Sequence, residues 1–163
     1  MSPRLLRAAR HLAVVLPLLV AAGACASDRP TAPITTVEET TFAPALNVDL
    51  AASTQLDHGV YARDLEVGTG PAVGPHSTVT LNYTLWLANG HQVESGTIDD
   101  PSQPFTLGRG QAIPGFELGL IGMQPGGRRQ ILIPPAMAYG AGGSGPIPGF
   151  AVLVFEIEML TVE

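Results

Sequence analysis

The chain has 163 residues, a length that suits one domain with attachments, and its formal charge at pH 7 is −6. Beyond residue 24 it carries five arginines, no lysine and all fourteen acids, so the formal charge of that part is 5 − 14 = −9. An acidic chain without a basic stripe excludes nucleic acid as an expected partner, and it excludes electrostatic docking onto anionic lipid.

Residues 1–24 have the pattern of a secretory signal peptide. Three arginines stand within the first ten residues, residues 12–20 form an apolar run, and Ala-Gly-Ala at residues 22–24 is a small-residue cleavage site. A membrane-spanning helix needs about 20 apolar residues, and this run is shorter and ends in small residues. The pattern therefore predicts export of the chain and removal of this segment.

The single cysteine, Cys25, follows the cleavage site directly. Small residues before a cysteine that becomes the new N-terminus resemble the lipobox of bacterial lipoproteins, in which the thiol is acylated, although that family usually has leucine where Ala22 stands. The resemblance implies lipidation of Cys25 and an exported lipoprotein of the cell envelope, anchored in a membrane and facing the periplasm. A plain secreted protein, cut after Ala24 or Ala26, is the alternative. In a lipoprotein no free thiol remains for a disulfide or for thiolate catalysis.

Residues 25–46 are rich in threonine, proline and alanine and have almost no apolar periodicity. Such a segment buries too little surface to offset the entropy of ordering it, and it predicts a tether. Residues 47–55 have weak helical spacing and are expected to form either a short helix or an arm laid on the domain. The folded domain is therefore expected over residues 47–163.

Strand patterns dominate this domain. Residues 79–87 alternate apolar and polar side chains, which is the period of a strand with one buried face. Asn89 and Gly90 follow with a strong hairpin signal, and residues 91–94 are predicted to return as the partner strand. The polar residues 95–103 predict a surface loop or bulge. Further strands are predicted at residues 59–67, 104–107, 128–133 and 151–160, and a long loop rich in glycine and proline at residues 136–150.

One short helix is predicted among these strands. Pro114 suits its first position, where the missing N–H is not needed, and Gly122 suits its C-terminal cap. Apolar residues with helical spacing for one buried face are Ile113, Phe116, Leu120 and Ile121. A helix of about two turns is not stable alone, so it must lie on the sheet. The predicted fold class is α+β, with a curved antiparallel sheet of about five strands wrapped over one short helix.

Other patterns give no sign of a cofactor or a metal. Residues 140–145 match the letters of the dinucleotide fingerprint, but prolines at 146 and 148 stand where a helix would have to begin. The histidines beyond the signal segment lack the spacing of metal ligands. We expect neither a cofactor nor a metal. Arg128 and Arg129 are expected to cap turns or to pair with acids.

Six motifs occur together in the order and spacing of one family. They are Tyr83-Thr84, residues 107–120 (Leu-Gly-Arg-Gly-Gln-Ala-Ile-Pro-Gly-Phe-Glu-Leu-Gly-Leu), residues 123–129 (Met-x-x-Gly-Gly-Arg-Arg), residues 133–135 (Ile-Pro-Pro), residues 138–140 (Ala-Tyr-Gly) and residues 153–155 (Leu-Val-Phe). Over residues 59–163 the chain resembles the FKBP-type peptidyl-prolyl cis–trans isomerases. The resemblance implies an FKBP-like fold and a rotamase that assists the folding of exported proteins. It implies proline-containing polypeptides as substrates and macrolide-type inhibitors as ligands.

The expected chemistry needs no nucleophile and no metal. Rotation about an X–Pro bond crosses a barrier of roughly 18–20 kcal/mol because the amide is conjugated. An apolar pocket that takes the proline ring and strips water from the amide, with fixed donors that favour the twisted form, lowers that barrier.

The resemblance also implies the residues of this pocket. Phe116 is its expected floor, and the other expected catalytic residues are Tyr83, Glu94, Ile113, Tyr139 and Phe155. The expected substrate-binding residues are Val93, Phe105, Gln111, Ala112 and Ile147. The backbone N–H of Ile113 and the hydroxyl of Tyr139 are the implied donors to substrate carbonyls.

The chain departs from the family pattern at two places. Phe116 stands where tryptophan is commonest, and Val93-Glu94 stands where the family usually has Phe-Asp. Valine offers less apolar contact than an aromatic wall, so modest turnover is expected. The alternative function is a non-catalytic, chaperone-like module that binds proline segments or unfolded chains in the same pocket.

Overall fold

The computed structural model describes residues 35–163. The signal peptide predicted at residues 1–24 and the lipidation site predicted at Cys25 lie outside these residues. Within the described part of the chain, no helix has the length and apolar character needed to cross a membrane.

Seven strands, one α-helix and three short 3-10 turns make up the described residues. The strands are β1 (Thr54–Gln55), β2 (Tyr61–Glu66), β3 (Thr78–Leu87), β4 (Gln92–Ile98), β5 (Phe105–Thr106), β6 (Arg128–Ile133) and β7 (Leu153–Val162). Helix α1 spans Pro114–Leu120, and the 3-10 turns span Pro44–Leu46, Asp57–Gly59 and Pro135–Met137. The predicted α+β class is confirmed, and β1 is the one strand that the sequence pattern did not predict.

The strands pair antiparallel in a single sheet with the order β1-β2-β6-β7-β3-β4, and β5 pairs with β3. The long strands β3 and β7 run side by side from Val79↔Val162 to Leu87↔Leu153. Because side chains alternate along a strand, each of these strands serves both faces of the sheet. We call the face that carries α1 the helix-side face and the opposite one the outer face.

Helix α1 lies close against strand β6 because two of its residues are glycines. A Cβ atom on Gly115 would lie 2.3 Å from Cγ2 of Ile133, and one on Gly119 would lie 2.4 Å from Cδ1 of Ile131. Both isoleucines are fully buried and have no space into which to move. The glycines therefore set the helix at the distance from the sheet at which Phe116 reaches the core.

The end of the helix is held by an arginine. Arg129 donates from Nη1 to the carbonyl oxygens of Gly119 and Ile121, both at 2.9 Å, and from Nε to Asp64 at 2.6 Å. The predicted pairing and capping by this arginine is confirmed. Gly122 has φ +82, as the predicted cap requires. Ile121, however, is 41% exposed, so its predicted place on the buried face is wrong because the helix has already ended.

The chain before the first strand packs on the outer face of the sheet. Val37 is fully buried and Leu46 is 8% exposed, and both belong to an apolar cluster with Leu132 and Val154 of the sheet. We call residues 37–50 the N-terminal arm. It covers part of the outer face, which would otherwise expose those apolar side chains.

Polar contacts attach the N-terminal arm at two points. Gln130, which is buried, donates from Nε2 to the carbonyl oxygen of Leu46 at 2.8 Å, and Tyr61 donates its hydroxyl to Glu38 at 2.5 Å. Residues 37–46, predicted as part of the tether, are therefore packed on the sheet. Their apolar residues are too scattered to show a period, but each one meets apolar surface that other parts of the chain supply.

Two further segments can be compared with the sequence prediction. Strand β4 continues to Ile98, although residues 95–98 were predicted as loop, because β4 lies at the edge of the sheet and its mostly exposed residues show no apolar alternation. Residues 47–55 form an arm, which is one of the two predicted alternatives, and not a helix. In that arm Asp49 Oδ1 accepts hydrogen bonds from two backbone N–H groups at 3.0 and 3.1 Å before β1 begins.

Candidate active site

Helix α1 places Phe116 at the centre of an aromatic cluster on the helix-side face. The centroid of its ring lies 5.0 Å from that of Phe155, 6.0 Å from that of Phe105 and 6.4 Å from that of Tyr83. All three neighbours meet it edge-on, an arrangement that aromatic rings favour. The four rings come from α1, β7, β5 and β3, so only the folded chain brings them together.

A cavity of about 210 Å³ is bounded by this cluster. The sequence-predicted site residues that line it are Tyr83, Glu94, Phe105, Gln111, Ala112, Ile113, Phe116, Tyr139 and Phe155. Two lining residues were missed. Leu85 belongs to the buried face of the predicted strand, so the alternation of that strand was a usable signal, whereas Ile98 stands in a polar segment that gave none.

Val93, predicted to bind substrate, does not line the cavity. In the pairing of β3 with β4, Leu85 lies opposite Glu94 and Trp86 lies opposite Gln92, so Val93 is the extra residue of a β-bulge. Its side chain packs, partly buried, against the main core. The bulge was not visible in the sequence, and on this side the cavity is lined by Leu85 and Ile98 instead.

Ile147, also predicted to bind substrate, lies in the core under the loop that follows β6. It is 7% exposed, and it exchanges two backbone hydrogen bonds of 2.9 Å with Ser144. The loop is closed further by a bond from Phe150 N–H to the carbonyl oxygen of Gly140 at 2.8 Å. Ile147 thus anchors the loop that carries Tyr139, and it is a positioning residue rather than a wall of the cavity.

Tyr139 itself stands at the rim of the cavity. It is 40% exposed, and most residues of its loop are exposed as well, with Ile147 alone buried. The ring lines the cavity with the aromatic cluster, and the hydroxyl makes no hydrogen bond within residues 35–163. This hydroxyl is therefore available to a bound molecule.

Tyr83 and Glu94 form the polar pair of the cavity. The hydroxyl of Tyr83 donates to Oε1 of Glu94 at 2.9 Å. Burial raises the pKa of Tyr83 to about 12, and the hydrogen bond and negative charge of Glu94 act in the same direction. Tyr83 therefore stays protonated at neutral pH. Gly96 lies directly across from it, and a Cβ atom there would lie 3.3 Å from the Tyr83 ring, so the glycine leaves room for the tyrosine.

The start of the helix offers a backbone donor. Ile113 is the N-cap residue, with extended backbone, and its N–H donates to no acceptor within the described residues. Gln111 fixes the segment before it, accepting from Thr106 N–H at 3.0 Å and donating to the carbonyl oxygen of Pro104 at 3.2 Å. Gln111 therefore holds strand β5, and with it Phe105, against the entry to the helix.

The cavity combines apolar rings with a few polar groups at its edge. It can take a compact apolar ring, remove water from a neighbouring amide and present the Ile113 N–H and the Tyr139 hydroxyl to carbonyl oxygens. Between residues 35 and 163, no three His, Cys, Asp or Glu side chains are grouped as a metal ion would require.

The chain is similar in sequence to known proteins. A sequence model described as FKBP-type peptidyl-prolyl cis-trans isomerase matches residues 70–160. An FK506-binding protein of Neisseria meningitidis serogroup B is 43% identical over 107 residues, which are 64% of this chain and 96% of that protein. A 46 kDa FK506-binding nuclear protein of Spodoptera frugiperda is 39% identical over 110 residues, covering 67% of this chain but 27% of the longer relative.

The fold is also similar to that of solved structures. The crystal structure of a peptidyl-prolyl cis-trans isomerase from Pseudomonas syringae is similar with a TM-score of 0.59 and 32% identity, over 69% of this chain and 81% of that one. The match of the family model covers more than half of the chain and includes the aromatic cluster and both rim donors. The chain belongs to the family of FKBP-type peptidyl-prolyl cis–trans isomerases.

Proposed function

We propose that this protein accelerates cis–trans exchange of X–Pro bonds in flexible polypeptides, with the proline ring held in the cavity over Phe116. The observation that carries the proposal is the cavity itself, an aromatic enclosure with the Ile113 N–H and the Tyr139 hydroxyl free at its rim. Isomerisation breaks and makes no covalent bond, so positioning and electrostatics are sufficient for it.

The mechanism follows from what the twisted amide loses. In the planar amide, conjugation places negative charge on the carbonyl oxygen; in the twisted transition state that charge returns to nitrogen. A cavity that excludes water removes hydrogen bonds that stabilise the planar form more than the twisted form. Hydrogen bonds from Ile113 and Tyr139 to carbonyls of the bound segment hold it in the orientation in which rotation is easiest.

The pair of Tyr83 and Glu94 has a supporting role in this proposal. Tyr83 stays protonated and keeps one oxygen of Glu94 occupied, so the carboxylate is fixed in one orientation at the edge of the cavity. In the twisted amide the carbonyl carbon loses the electron density that nitrogen shared with it, so a fixed negative charge beside that carbon favours the twisted form. Glutamate in place of the usual aspartate is compatible with this role because the hydrogen bond to Tyr83 is formed.

The test is catalysis of exchange in a short peptide with leucine or phenylalanine before proline. The full chain is expected to accelerate exchange at catalytic concentration. A Phe116→Ala/Tyr139→Phe double variant is expected to lose this acceleration while its circular dichroism stays that of a folded β-rich protein. Binding of the peptide by the native chain without any acceleration would replace the isomerase by the alternative, a non-catalytic module for proline segments or unfolded chains.

We also propose that a macrolide of the FK506 type occupies the same cavity. The matched relatives bear the name FK506-binding protein, and an aromatic enclosure suits a compound that presents a compact apolar ring. Such a compound is expected to inhibit exchange competitively with the peptide. If the Phe116→Ala/Tyr139→Phe variant binds the compound with the affinity of the native chain, its binding site lies elsewhere.

A further part of the proposal concerns location. The pattern of residues 1–25 supports export and acylation of Cys25, so that the domain would act on exported proteins while folding and tethered to a membrane. Residues 26–36 precede the N-terminal arm, and eleven residues reach at most roughly 40 Å at full extension.

The mature N-terminus tests this location. Mass spectrometry of the protein from the membrane fraction is expected to find an acylated N-terminal cysteine, and Cys25→Ser is expected to release the protein from the membrane. A mature N-terminus at Ser27, or at Cys25 without lipid, would favour the secreted alternative.

A further inference from the structure

A second groove adjoins the cavity of the proposed active site. Its volume is about 220 Å³, and it lies between the connection from β4 to β5 and the ends of β3 and β7. It shares Ile98 and Phe105 with the cavity. These two side chains therefore stand between the spaces, and a chain bound in the cavity reaches the groove by passing over them.

The groove is negatively charged. Asp99, Asp100 and Glu163 line it together with the threonines at 78, 80 and 161, and no lysine, arginine or histidine is among its lining residues. At neutral pH the carboxylates give this space three negative charges and no positive one. The threonine hydroxyls add acceptors that suit the N–H groups of a cation.

Among the described residues, the carboxylates of the groove have no arginine partner. Three acids elsewhere in this part of the chain do have one, as when Arg128 pairs with Glu66 and Glu156. Between residues 35 and 163, the side chains of Asp99 and Glu163 make no hydrogen bond or ion pair, and Asp100 uses only Oδ1, to accept from Ser102. The fold thus leaves the groove's charge without an internal counter-charge.

We propose that this groove is a subsite for a basic side chain, lysine or arginine, close to the proline of the polypeptide substrate. The inference rests on the proposed isomerase function, and it adds a substrate class. An extended chain advances about 3.3–3.6 Å per residue, so a residue only a few positions from a proline in the cavity reaches past Phe105. The long, flexible side chain of lysine or arginine then places its charge among separate carboxylates.

A bound metal ion is the other cation that such a groove would suit. The described residues contain no group of three His, Cys, Asp or Glu side chains with the geometry to hold one. A divalent ion such as calcium needs its oxygen ligands gathered at about 2.3–2.6 Å, whereas a basic side chain is bound by carboxylates that are spread along its path. The arrangement therefore favours a substrate side chain.

The experiment measures kcat/KM for a set of peptides with one X–Pro bond. Each peptide has arginine, glutamate or alanine at one of the four positions before that dipeptide or the four positions after it, and each is measured with EDTA and without it. For the full chain, kcat/KM is expected to be about threefold to tenfold higher for the arginine peptide than for the glutamate peptide at one or two positions, as for exposed charge pairs. This ratio is expected to fall towards one in 0.5 M NaCl because salt screens such charges.

Two variants with the same change of charge locate the effect. For the Asp99→Asn/Glu163→Gln variant, the ratio of kcat/KM between arginine and glutamate peptides is expected to fall most of the way to one. Glu39→Gln/Asp57→Asn also removes two acids, but neither of them lines the groove or the cavity, and this variant is expected to keep the ratio. Because each ratio is taken within one variant, changes in overall turnover or folding cancel.

The outcomes separate this inference from the function on which it rests. Acceleration of every peptide with an arginine-to-glutamate ratio near one overturns the subsite and leaves the isomerase standing. A ratio that survives Asp99→Asn/Glu163→Gln, or one that appears only when EDTA is omitted, overturns the subsite as well. If the full chain accelerates no peptide, it is the proposed function that fails.

Discussion

The two faces of the sheet are built by the same strands, yet only one of them holds the aromatic cavity. On the helix-side face, α1 covers the sheet together with the loop of residues 138–150, and the aromatic cluster around Phe116 stays open to solvent at one edge. On the outer face, the N-terminal arm is laid over the sheet, and Val37 is buried completely. Strand β3 contributes to both, with Tyr83 on one face and Trp86 on the other.

The difference shows what makes apolar surface into a site. Both faces carry aromatic side chains, and the alternation along the strands does not distinguish one face from the other. The outer face is closed over Leu132 and Val154 because the arm brings its own apolar residues and Gln130 satisfies the backbone of Leu46. The helix-side face is left open because the helix is only seven residues long and the loop beyond β6 places Tyr139 at the rim instead of in the core.

The largest expected effect comes from matched aromatic truncations on the two faces. Phe116→Ala removes the ring that touches three others and is expected to lower the free energy of unfolding by about 3 kcal/mol. It should lower kcat/KM about 10- to 100-fold, because the apolar contact to the proline ring is lost. Urea unfolding and peptide exchange measure the two quantities.

Trp86→Ala on the outer face is the control for this comparison. It is expected to reduce stability and to leave kcat/KM within about twofold of the native value, since a change far from bound substrate does not alter transition-state binding. Equal losses of activity in both variants would mean that the two faces are not functionally distinct.

The next effect concerns the distance between helix and sheet. Gly119→Ala forces a methyl group against the buried Ile131 and is expected to cost about 2 to 3 kcal/mol of stability. Gly142→Ala is the matched control, because a Cβ atom there meets nothing within 4 Å. The melting temperatures of both variants are measured by thermal unfolding. An unchanged melting temperature for Gly119→Ala would show that the helix can move away from the sheet at little cost in free energy.

The N-terminal arm provides the third prediction. Val37→Ala removes two buried methyl groups and is expected to lower stability by about 1.5 to 2 kcal/mol. Peptide exchange should be unaffected, because the arm lies on the face opposite the cavity. If urea unfolding gives Val37→Ala the same free energy of unfolding as the native chain, residues 37–46 do not pack on the sheet and form a tether.

The smallest effect is a pH dependence at the attachment of the arm. The hydrogen bond from Tyr61 lowers the pKa of Glu38 from its ordinary value of 4.5. A carboxyl whose folded-state pKa is lowered contributes stability above its unfolded pKa and loses that contribution as the pH falls through the folded one. The native chain should therefore lose stability relative to Glu38→Gln as the pH is lowered below about 4.5, in urea unfolding at several pH values.

The native chain and Glu38→Gln are compared by the difference between their free energies of unfolding. If that difference is the same at about pH 7 and about pH 3, this contact is absent in solution. The effect is expected to be small because Glu38 is exposed and water competes for the hydrogen bond.

Much of the fold could be predicted because local signals agree with it. Strand β6 has the predicted bounds. The helix begins at the predicted Pro114, because a proline at the first position and the apolar spacing are signals that act within a few residues. Most of the residues that the family motifs implied for the pocket line the cavity. Val93 and Ile147 do not, since a bulge shifts one and a folded loop buries the other, and both events depend on contacts with distant parts of the chain.

By itself, the sequence determined the strands with clear alternation, the position of the helix, the family and the residue types of the aromatic cluster. These follow from short-range preferences and from motifs, which a linear chain displays directly. The tertiary structure decided that residues 37–46 cover part of the outer face, that the cavity remains open, and that Asp99, Asp100 and Glu163 line one groove beside it. Each of these depends on which distant segments fill or leave a space, and no local pattern carries that information.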